Sequence, residues 1–339
     1  MSLLVRTQVS LRPYNSFAVA AQASHFAEAE NDQQVREALT YAEVQQLPLL
    51  VLGGGSNLLL TADVKALVLR MASRGIRVLS DDGERVVIEA EAGEPWHPFV
   101  QWTLAQGFAG LENLSLIPGT VGAAPVQNIG AYGVELKDCF SGLTALNRHT
   151  GELQDFSLQG CEFAYRDSVF KRESGRWLIL RVRFALSRCA GLHLDYGPVR
   201  QRLSEQGIAV PTALDVSQAI CAIRSEKLPD PAVLGNAGSF FKNPLVSAER
   251  AGCIRAEHPD LVAYPQPDGQ VKLAAGWLIE RAGWKGFREG DAGVHRLQAL
   301  VLVNYGTATG AQLLALAQRI QADIAKRFAV ELEIEPNVL

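Results

Sequence analysis

The sequence predicts an α+β protein that is divided into more than one domain. Its 339 residues are enough for two or three domains at about 150 residues each. Residues 1–73 alternate between helical and strand patterns, residues 74–213 are mostly strand, and helical patterns resume near residue 211. We therefore expect domains over 1–73, 74–213 and 214–330, followed by a C-terminal strand at 331–339.

The first domain is predicted from a capped helix and a glycine loop between strands. Residues 32–47 form a helix in which Asp32 is the cap, Val35, Leu39 and Ala42 share a face, and Pro48 ends the pattern. The run LPLLVLGGGSNLLL at 47–60 then predicts a strand, a tight loop and a second strand, and KALVLRM at 65–71 predicts another strand.

The second domain begins with the strand ERVVIEAEAG and a helix over 95–106 that ends at Gly107. A hairpin is expected at 144–156 with its turn at Thr150-Gly151, and RWLILRVRFALS is a strand. The third domain contains an amphipathic helix at 272–283, the strand ALVLVNYG and the longest helix at 310–328. Residues 329–339 alternate polar and apolar side chains, which predicts an edge strand.

Composition excludes several classes of function. The net charge is −4 and no apolar run approaches the length of a membrane span, so we expect neither a nucleic-acid partner nor a membrane partner. The N-terminal segment lacks the pattern of a secretory signal, which predicts a cytoplasmic protein. The five cysteines and six histidines show no metal-ligand spacing. Any redox chemistry must therefore come from a cofactor bound without metal.

Two loops of small residues suggest a site for a large ligand. In the GGGSN loop, the glycines would let backbone N–H groups approach a phosphate, although a plain glycine turn is equally compatible. The uncharged segment LSLIPGTVGAAPVQNIGAYG at 114–133 would let backbone approach a flat ring, with Gln127 and Asn128 at its polar edge. The alternative for this segment is a tightly packed chain crossing. Two such loops in one chain favour a dinucleotide.

Three further stretches carry candidate catalytic groups. Arg166 in FAYRDSVFK is suited to bidentate capture of a carboxylate or phosphate, although a surface ion pair with Asp167 is the commoner arrangement. Ser239 follows Ala237-Gly238 without a hydrolase elbow, so it could also be an ordinary loop residue. Glu335 precedes Pro336, which favours an extended backbone. A solvated acidic edge is the better interpretation of Glu331 and Glu333.

Six segments in the same order resemble the UDP-N-acetylenolpyruvoylglucosamine reductase family, type I subfamily. They are LGGGSNLL, LSLIPGTVGAAPVQNIGAYG, YRDSVFK, KLPDP with NAGSFFKNP, YPQPDGQVKLAAGWLIE and LEIEP. The resemblance implies a three-domain α+β protein in which two domains bind FAD as in vanillyl-alcohol-oxidase-like flavoproteins and the third binds substrate. It implies NADPH-dependent reduction of UDP-N-acetylglucosamine enolpyruvate to UDP-N-acetylmuramate by a monomer with non-covalent FAD.

The resemblance also implies the roles of individual residues. Arg166 would bind the substrate carboxylate, Ser239 would donate a proton and Glu335 would be the C-terminal acid. The FAD-binding residues would be Gly53, Gly54, Gly55, Ser56, Asn57, Pro118, Gly119, Thr120, Gly122, Ala123, Ala124, Gln127, Asn128 and Ile129. The substrate-binding residues would be Tyr132, Tyr196 in the loop DYGPV, Lys227, Asn243, Tyr264, Lys272 and Gln298.

The sequence departs from the family pattern at two places. Ala123-Ala124 stand where some relatives have serines, so a hydroxyl contact to FAD is not expected there. The chain ends at Leu339, so thinner support is expected around Glu335 than in relatives that continue this strand. Two other functions remain compatible with the residues: a different FAD oxidoreductase on the same scaffold, and a nucleotide-sugar-binding protein without catalysis.

Overall fold

A computed structural model describes residues 2–189, 191–196 and 198–339. Gly197, which belongs to the predicted DYGPV loop, lies outside the described residues. The strands are β1 Val5–Ser10, β2 Gln22–Ala29, β3 Leu49–Leu52, β4 Leu58–Leu59, β5 Val64–Met71, β6 Ile76–Asp81, β7 Arg85–Glu91, β8 Gly130–Ala131, β9 Val134–Glu135, β10 Phe140–Asn147, β11 Leu153–Phe156, β12 Trp177–Ser187, β13 Gly235–Asn236, β14 Leu245–Val246, β15 Ala263–Pro265, β16 Val271–Leu273, β17 Arg288–Glu289, β18 Ala292–Val294, β19 Leu302–Asn304 and β20 Asn337–Val338.

The helices are α1 Asp32–Val44, α2 Trp96–Ala105, α3 Val169–Arg172, α4 Val199–Glu205, α5 Ala213–Lys227, α6 Ala248–Glu257, α7 Ala275–Arg281 and α8 Gly310–Phe328. Several sheets combined with helices confirm the predicted α+β class. Within the described ranges, no helix has both the length and the apolar character of a membrane span.

The chain forms two compact units. Unit 1 comprises residues 1–9, 23–54 and 65–226, and unit 2 comprises residues 10–22, 55–64 and 227–339. Helix α5 therefore lies almost wholly in unit 1, and two short N-terminal segments join the C-terminal part of the chain in unit 2. Unit 1 continues without a break through residues 73 and 213, where the sequence predicts domain boundaries. The division into three domains stays a prediction.

Unit 1 is built on two sheets. One has the strand order β1-β2-β5-β3, with β3 and β5 parallel, and the other is antiparallel with the order β11-β10-β12-β7-β6. Val35, Ala38 and Ala42 of helix α1 pack into a hydrophobic core with residues of the first sheet. Asn31 rather than Asp32 caps this helix, because its side chain accepts a hydrogen bond from the Gln34 N–H at 3.0 Å.

Unit 2 contains two small antiparallel sheets, in the orders β13-β19-β18-β17 and β14-β16-β15. Helix α8 buries Leu313, Leu316 and Ile320 in the core of this unit. Thr309 and Gln312 cap α8 reciprocally. The helix has the predicted bounds, since its apolar periodicity, its cap and its basic last turn all agree.

Two predicted elements of unit 2 differ from the structure. The helix expected over 272–283 is confined to α7, because the chain first completes β16 and turns at Ala274. The edge strand expected over 329–339 is reduced to a bridge between Phe241 and Ile334 and to β20, which pairs in parallel with β4. Its alternation is nevertheless real, since Glu331 and Glu333 are exposed while Leu332 is buried.

Candidate active site

The two predicted small-residue loops meet directly in unit 1. A Cβ placed on Gly54 would lie 2.8 Å from the Cα of Gly119, and one on Gly53 would lie 2.7 Å from Thr120 Oγ1 and 3.3 Å from Ala123 Cβ. Such distances leave no room for a side chain at either glycine. The close approach observed is that of the two loops to each other, and their approach to a ligand stays a prediction.

The turn from β7 into α2 holds the 114–122 loop in place. Its backbone and two of its side chains form a series of hydrogen bonds with the loop: Gly122 N to Ala92 O at 2.9 Å, Val121 N to Glu94 O at 2.8 Å, Trp96 N to Gly119 O at 3.0 Å, Trp96 Nε1 to Leu114 O at 2.9 Å, and Leu116 N to His97 Nδ1 at 3.0 Å. Because these bonds fix both the backbone and its direction, the loop is preorganised.

His97 accepts the Leu116 N–H at a strained position. Leu116 has a φ of +58°, a conformation that costs free energy for a residue with a Cβ. Burial, and the positive charge of Arg224, lower the pKa of His97. The imidazole is thus neutral near pH 7, with Nδ1 as the acceptor, and its Nε2 lies 4.0 Å from Cys221 Sγ.

Two predicted flavin residues have structural roles that the sequence did not indicate. A Cβ on Gly122 would lie 2.5 Å from the Cβ of Ala92, so the missing side chain allows close packing against the residue that follows β7. Asn128 is fully buried and uses its amide inside unit 1, donating to Glu135 Oε2 and Ala164 O and accepting from Lys137 N. Its contact with the polar edge of a flat ring stays a prediction.

Arg166 lies on a tight turn that Asn128 fastens through Ala164 O. Its φ is +53°, and its Nη2 donates to Gly130 O at 3.0 Å. The neighbouring Asp167 pairs with Arg172. A non-glycine residue held at positive φ is typical of a functional position.

Tyr132 and Tyr196 are brought together in unit 1. Their rings lie 6.3 Å apart in an edge-to-face arrangement, and Asn113 Nδ2 donates to both Tyr132 O and His193 O at 2.9 Å. Asn113 thereby ties the segment that carries Tyr196 to the 114–133 loop. Burial raises the pKa of Tyr132, whereas Tyr196 is exposed and available to a ligand.

Arg224 on α5 is a candidate that the sequence analysis missed. Its Nε is buried without a hydrogen-bond partner among the described residues, and burial lowers the pKa of its guanidinium, with the charge of Arg166 acting in the same direction. A hydrogen bond with Tyr132 acts the opposite way. The available signal was its spacing, since Val216, Ile220 and Arg224 recur every four residues on the buried face of α5.

In unit 2 the structure brings Ser239 and Glu335 onto adjoining extended segments. The N–H of Glu335 donates to Phe240 O at 2.9 Å, the N–H of Lys242 donates to Glu333 O at 2.9 Å, and Phe241 bridges Ile334. Ser239 is exposed and Glu335 half-buried. Phe240, the backbone partner of Glu335, directly follows Ser239. This short antiparallel pairing therefore brings the predicted proton donor and the predicted acid onto neighbouring segments.

The same C-terminal segment also holds the end of the GGGSN loop in unit 2. Asn337 N–H donates to Asn57 O at 3.0 Å, and β20 continues this contact alongside β4. Gly55 has a φ of +61°, and a Cβ on it would lie 1.9 Å from Tyr14 O. Only glycine fits this position, which explains the third glycine of the loop.

The remaining predicted substrate residues all lie in unit 2. Tyr264 and Lys272 face each other as a register pair across β15 and β16. Asn243 accepts the Ala275 N–H at 3.0 Å and so holds the start of α7. Gln298 closes a turn with Val301, and Lys227 is the exposed last residue of α5.

The cysteines show no arrangement for redox or metal chemistry within the described residues. All five are free thiols, and no group of three potential metal-ligating side chains is found among those residues. Burial raises the pKa of both Cys139 and Cys161 to about 12. Thiols of this kind are inert at neutral pH.

Comparison with known proteins identifies the family. Residues 23–157 match a family described as "FAD binding domain", and residues 230–339 match "UDP-N-acetylenolpyruvoylglucosamine reductase, C-terminal domain". The UDP-N-acetylenolpyruvoylglucosamine reductase of Pseudomonas fluorescens (strain Pf0-1) is 79% identical, with 99% of each chain covered. This chain belongs to the UDP-N-acetylenolpyruvoylglucosamine reductase family. Its relatives of the same name from Pseudomonas aeruginosa and Chromobacterium violaceum are 67% and 56% identical over all of both chains.

A solved reductase of this family has the same fold. The crystal structure of the Thermus caldophilus enzyme covers 99% of both chains with a TM-score of 0.69 at 24% identity. The family resemblance stated from the sequence is confirmed, together with an FAD-binding domain over residues 23–157.

The residues present in unit 1 fit a bound flavin nucleotide. Gly53 and Gly54 lie against Thr120 and Gly119, and the buried Oγ1 of Thr120 has no hydrogen-bond partner within the described part of the chain. An orphaned buried hydroxyl at a loop crossing is the arrangement that a polar ligand atom satisfies. The 53–57 and 118–130 loops contain no Cys or His, so neither offers the usual residues for covalent attachment.

Proposed function

We propose that this chain is an FAD-containing, NADPH-dependent oxidoreductase that reduces UDP-N-acetylglucosamine enolpyruvate to UDP-N-acetylmuramate in peptidoglycan precursor synthesis. The single observation that carries the proposal is full-length membership of the reductase family, at up to 79% identity among the relatives named above. The meeting of the GGGSN loop with the 118–124 loop supports FAD as the cofactor. We place the reaction in the cytoplasm and expect a monomer.

The substrate is an enol ether conjugated to a carboxylate, and FAD supplies the hydride chemistry when bound. As the terminal vinyl carbon becomes reduced, negative charge develops on the carboxylate. We assign Arg166 to that group, because a guanidinium binds a carboxylate through two hydrogen bonds and one such donor contributes about 2.7–4 kcal/mol to stabilising developing charge. Its turn is held from both sides, by Asn128 at Ala164 and by its own bond to Gly130.

We assign the proton that completes the reduction to the hydroxyl of Ser239. A serine hydroxyl is a weak acid, so it can donate only to a strongly basic carbon such as the enolate that remains after hydride transfer. Ser239 is exposed, so solvent can replace the proton after each turnover. Glu335 assists only when protonated or hydrogen-bonded, because a bare carboxylate would repel the enolate.

We assign the nucleotide part of the substrate to a set of polar side chains. Lys227 and Lys272 provide positive charge for phosphates, and Tyr264, Asn243 and Gln298 provide hydrogen-bonding groups. Tyr196 presents an exposed ring beside Tyr132 and is assigned the role of a cover over the uridyl phosphate. These residues are assigned to binding the nucleotide part, whereas Arg166, Ser239 and Glu335 act on the reacting atoms.

A steady-state assay with two nucleotide sugars tests the proposed function. Purified protein should be yellow and should consume NADPH in the presence of the enolpyruvyl nucleotide sugar, with a product about two mass units heavier than the substrate because one hydride and one proton are added. UDP-N-acetylglucosamine, which lacks the enolpyruvyl group, should cause no consumption. A colourless protein that binds both nucleotide sugars would instead identify a binding protein, and rapid NADPH oxidation by oxygen alone would identify an oxidase.

A further inference from the structure

A buried asparagine in unit 2 links two segments of the proposed site. Asn236 is 2% exposed, and its amide forms three hydrogen bonds with backbone. Its Nδ2 donates to Pro229 O at 3.1 Å and to Leu234 O at 2.8 Å, and its Oδ1 accepts from Gly238 N at 2.9 Å. One side chain therefore joins the KLPDP segment to the residue that directly precedes Ser239.

Hydrogen bonds hold the backbone on both sides of Ser239, and Asn236 supplies the one on the N-terminal side. Gly238 has a φ of +71°, so the chain turns sharply just before the serine, and the bond to Asn236 Oδ1 fixes that turn. On the other side, Phe240 N–H donates to Leu300 O at 2.7 Å while Phe240 O accepts from Glu335 N. Ser239 is thus the exposed residue between two fixed backbone positions.

Asn236 is itself held rigidly. Its own N–H donates to Ser16 O at 3.0 Å, and it pairs with Val303 across β13 and β19. Ser16 N–H in turn donates to Gly55 O at 3.0 Å. A chain of backbone contacts therefore runs from the GGGSN loop through Ser16 to Asn236, and the amide side chain extends it to Gly238 and Pro229.

We propose that Asn236 is the positioning residue of the Ser239 hydroxyl, and that it also sets the place of the KLPDP segment. The inference rests on the proposed function, in which Ser239 donates the proton. Asn236 does not touch the reacting atoms. A general acid displaced by about 1 Å can lose about 10²-fold in rate, so loss of the amide acts on proton transfer far more than on flavin reduction.

Asn304 provides a matched control for loss of a buried amide. It is 4% exposed, lies opposite Gly235 in the same strand pair, and bonds backbone through both atoms of its amide. Its partners are Phe17, Gly306 and Ala308, none of which adjoins Ser239. Asn304→Ala should therefore lower the thermal midpoint about as much as Asn236→Ala without slowing proton transfer selectively.

The test measures the two half-reactions of the FAD-loaded enzyme by anaerobic stopped flow, together with hydrogen exchange of peptides covering 232–241 and 302–309. In Asn236→Ala we expect reduction by NADPH within about twofold of the parent enzyme, reoxidation by the enolpyruvyl nucleotide sugar slowed about 10–10²-fold, a larger solvent deuterium effect on reoxidation, and faster exchange only in 232–241. Asn304→Ala should speed exchange in 302–309 and leave reoxidation near the parent rate.

Asn236→Asp keeps the acceptor for Gly238 and serves as the second variant if Asn236→Ala does not fold. We expect it to retain more reoxidation activity than alanine and to raise the Michaelis constant of the nucleotide sugar, since it weakens the bonds to Pro229 and Leu234. Equal slowing of both half-reactions, or equal effects of Asn236→Ala and Asn304→Ala, would overturn the inference. Ser239→Ala in the same assay distinguishes failure of the proposed function from failure of this inference. A normal reoxidation rate in Ser239→Ala refutes Ser239 as the proton donor. Slow reoxidation in Ser239→Ala together with normal reoxidation in Asn236→Ala refutes only the role of Asn236.

Discussion

The 114–124 loop of unit 1 and the 235–241 segment of unit 2 are held in place by different means. The first is fixed mainly by backbone hydrogen bonds from residues 92–96, with glycines and alanines allowing close approach. The second is fixed by the side-chain amide of Asn236 and by pairing with the C-terminal segment. Small residues thus let two loops pack closely in unit 1, whereas in unit 2 a buried amide fixes the backbone next to one hydroxyl.

In the proposed mechanism, Arg166 of unit 1 stabilises negative charge and Ser239 of unit 2 donates the proton. Arg166→Ala should lower kcat/KM for the nucleotide sugar by about 10²–10³-fold, since one charge-stabilising donor contributes about 2.7–4 kcal/mol. Both substrate binding and hydride transfer should suffer in stopped-flow traces. Arg172→Ala, which removes two surface ion pairs close to the Arg166 turn, should change kcat/KM less than about threefold. A comparable loss in both variants would mean that the conformation of this segment, and not the Arg166 guanidinium, determines the activity.

Close backbone approach in unit 1 can be broken by a single methyl group. Gly54→Ala would place a Cβ 2.8 Å from the Cα of Gly119, and overpacking of this kind costs about 1–3 kcal/mol. FAD affinity, measured by titrating the apoprotein, should fall about 10–10²-fold. Gly252→Ala is the matched control, because a Cβ placed there on helix α6 meets no described atom within 4 Å beyond the backbone of its own helix. Normal FAD affinity in Gly54→Ala would show that the loop crossing does not serve the cofactor.

His97 is the titratable member of the contacts that hold the 114–122 loop. His97→Leu leaves the Leu116 N–H without its acceptor, at a cost of about 1–2 kcal/mol, so FAD affinity should fall about tenfold. His97→Asn, whose Oδ1 can accept the same bond, should restore most of the affinity. If asparagine and leucine behave alike in the FAD titration, the bond to Leu116 is unimportant.

The same histidine predicts a pH dependence. Burial lowers the pKa of His97, so the unfolded chain binds more protons than the folded one once pH falls below about 6.5. FAD affinity and the thermal midpoint should be highest above that pH and should decline as pH falls towards about 5.5. His97→Asn should remove this part of the decline, and an identical pH profile in the variant would assign the decline to another group.

Tyr196 should have the smallest effect, because it acts on substrate binding alone. Tyr196→Ala removes an exposed ring that lies edge-to-face with Tyr132, an interaction of about 0.5–1.5 kcal/mol. The Michaelis constant of the nucleotide sugar should rise about 2–10-fold while the flavin spectrum stays unchanged, and Tyr196→Phe should lie between. A shifted flavin spectrum in Tyr196→Ala would place the ring at the cofactor instead.

The sequence predicted the features that arise from local patterns. Helix α8 has the predicted bounds, the GGGSN loop joins two strands, and the small residues of the 114–133 loop do allow close approach. These outcomes depend on periodicity, capping and the absence of side chains, all of which can be read from neighbouring residues.

Features that depend on distant partners could not be predicted from local patterns. The sequence around Gly122 and Asn128 does not indicate that Ala92 packs against the first or that Ala164 O accepts a hydrogen bond from the second. The 329–339 segment alternates like a strand, but its partners are two short segments, at Phe241 and at β4. The helix expected at 272–283 begins late because Lys272 pairs with Tyr264 and Leu245 instead.

The proposed mechanism depends most on Ser239 as the proton donor, and Ser239→Ala measured by anaerobic stopped flow tests this directly. We predict that NADPH bleaches the flavin at a near-normal rate, while reoxidation by the enolpyruvyl nucleotide sugar falls about 10²–10⁴-fold, the usual contribution of a positioned general acid. Ser239→Cys should retain more reoxidation than alanine, because a thiol can still donate a proton. Equal slowing of flavin reduction and reoxidation in Ser239→Ala would contradict the mechanism and leave Ser239 a residue of the fold.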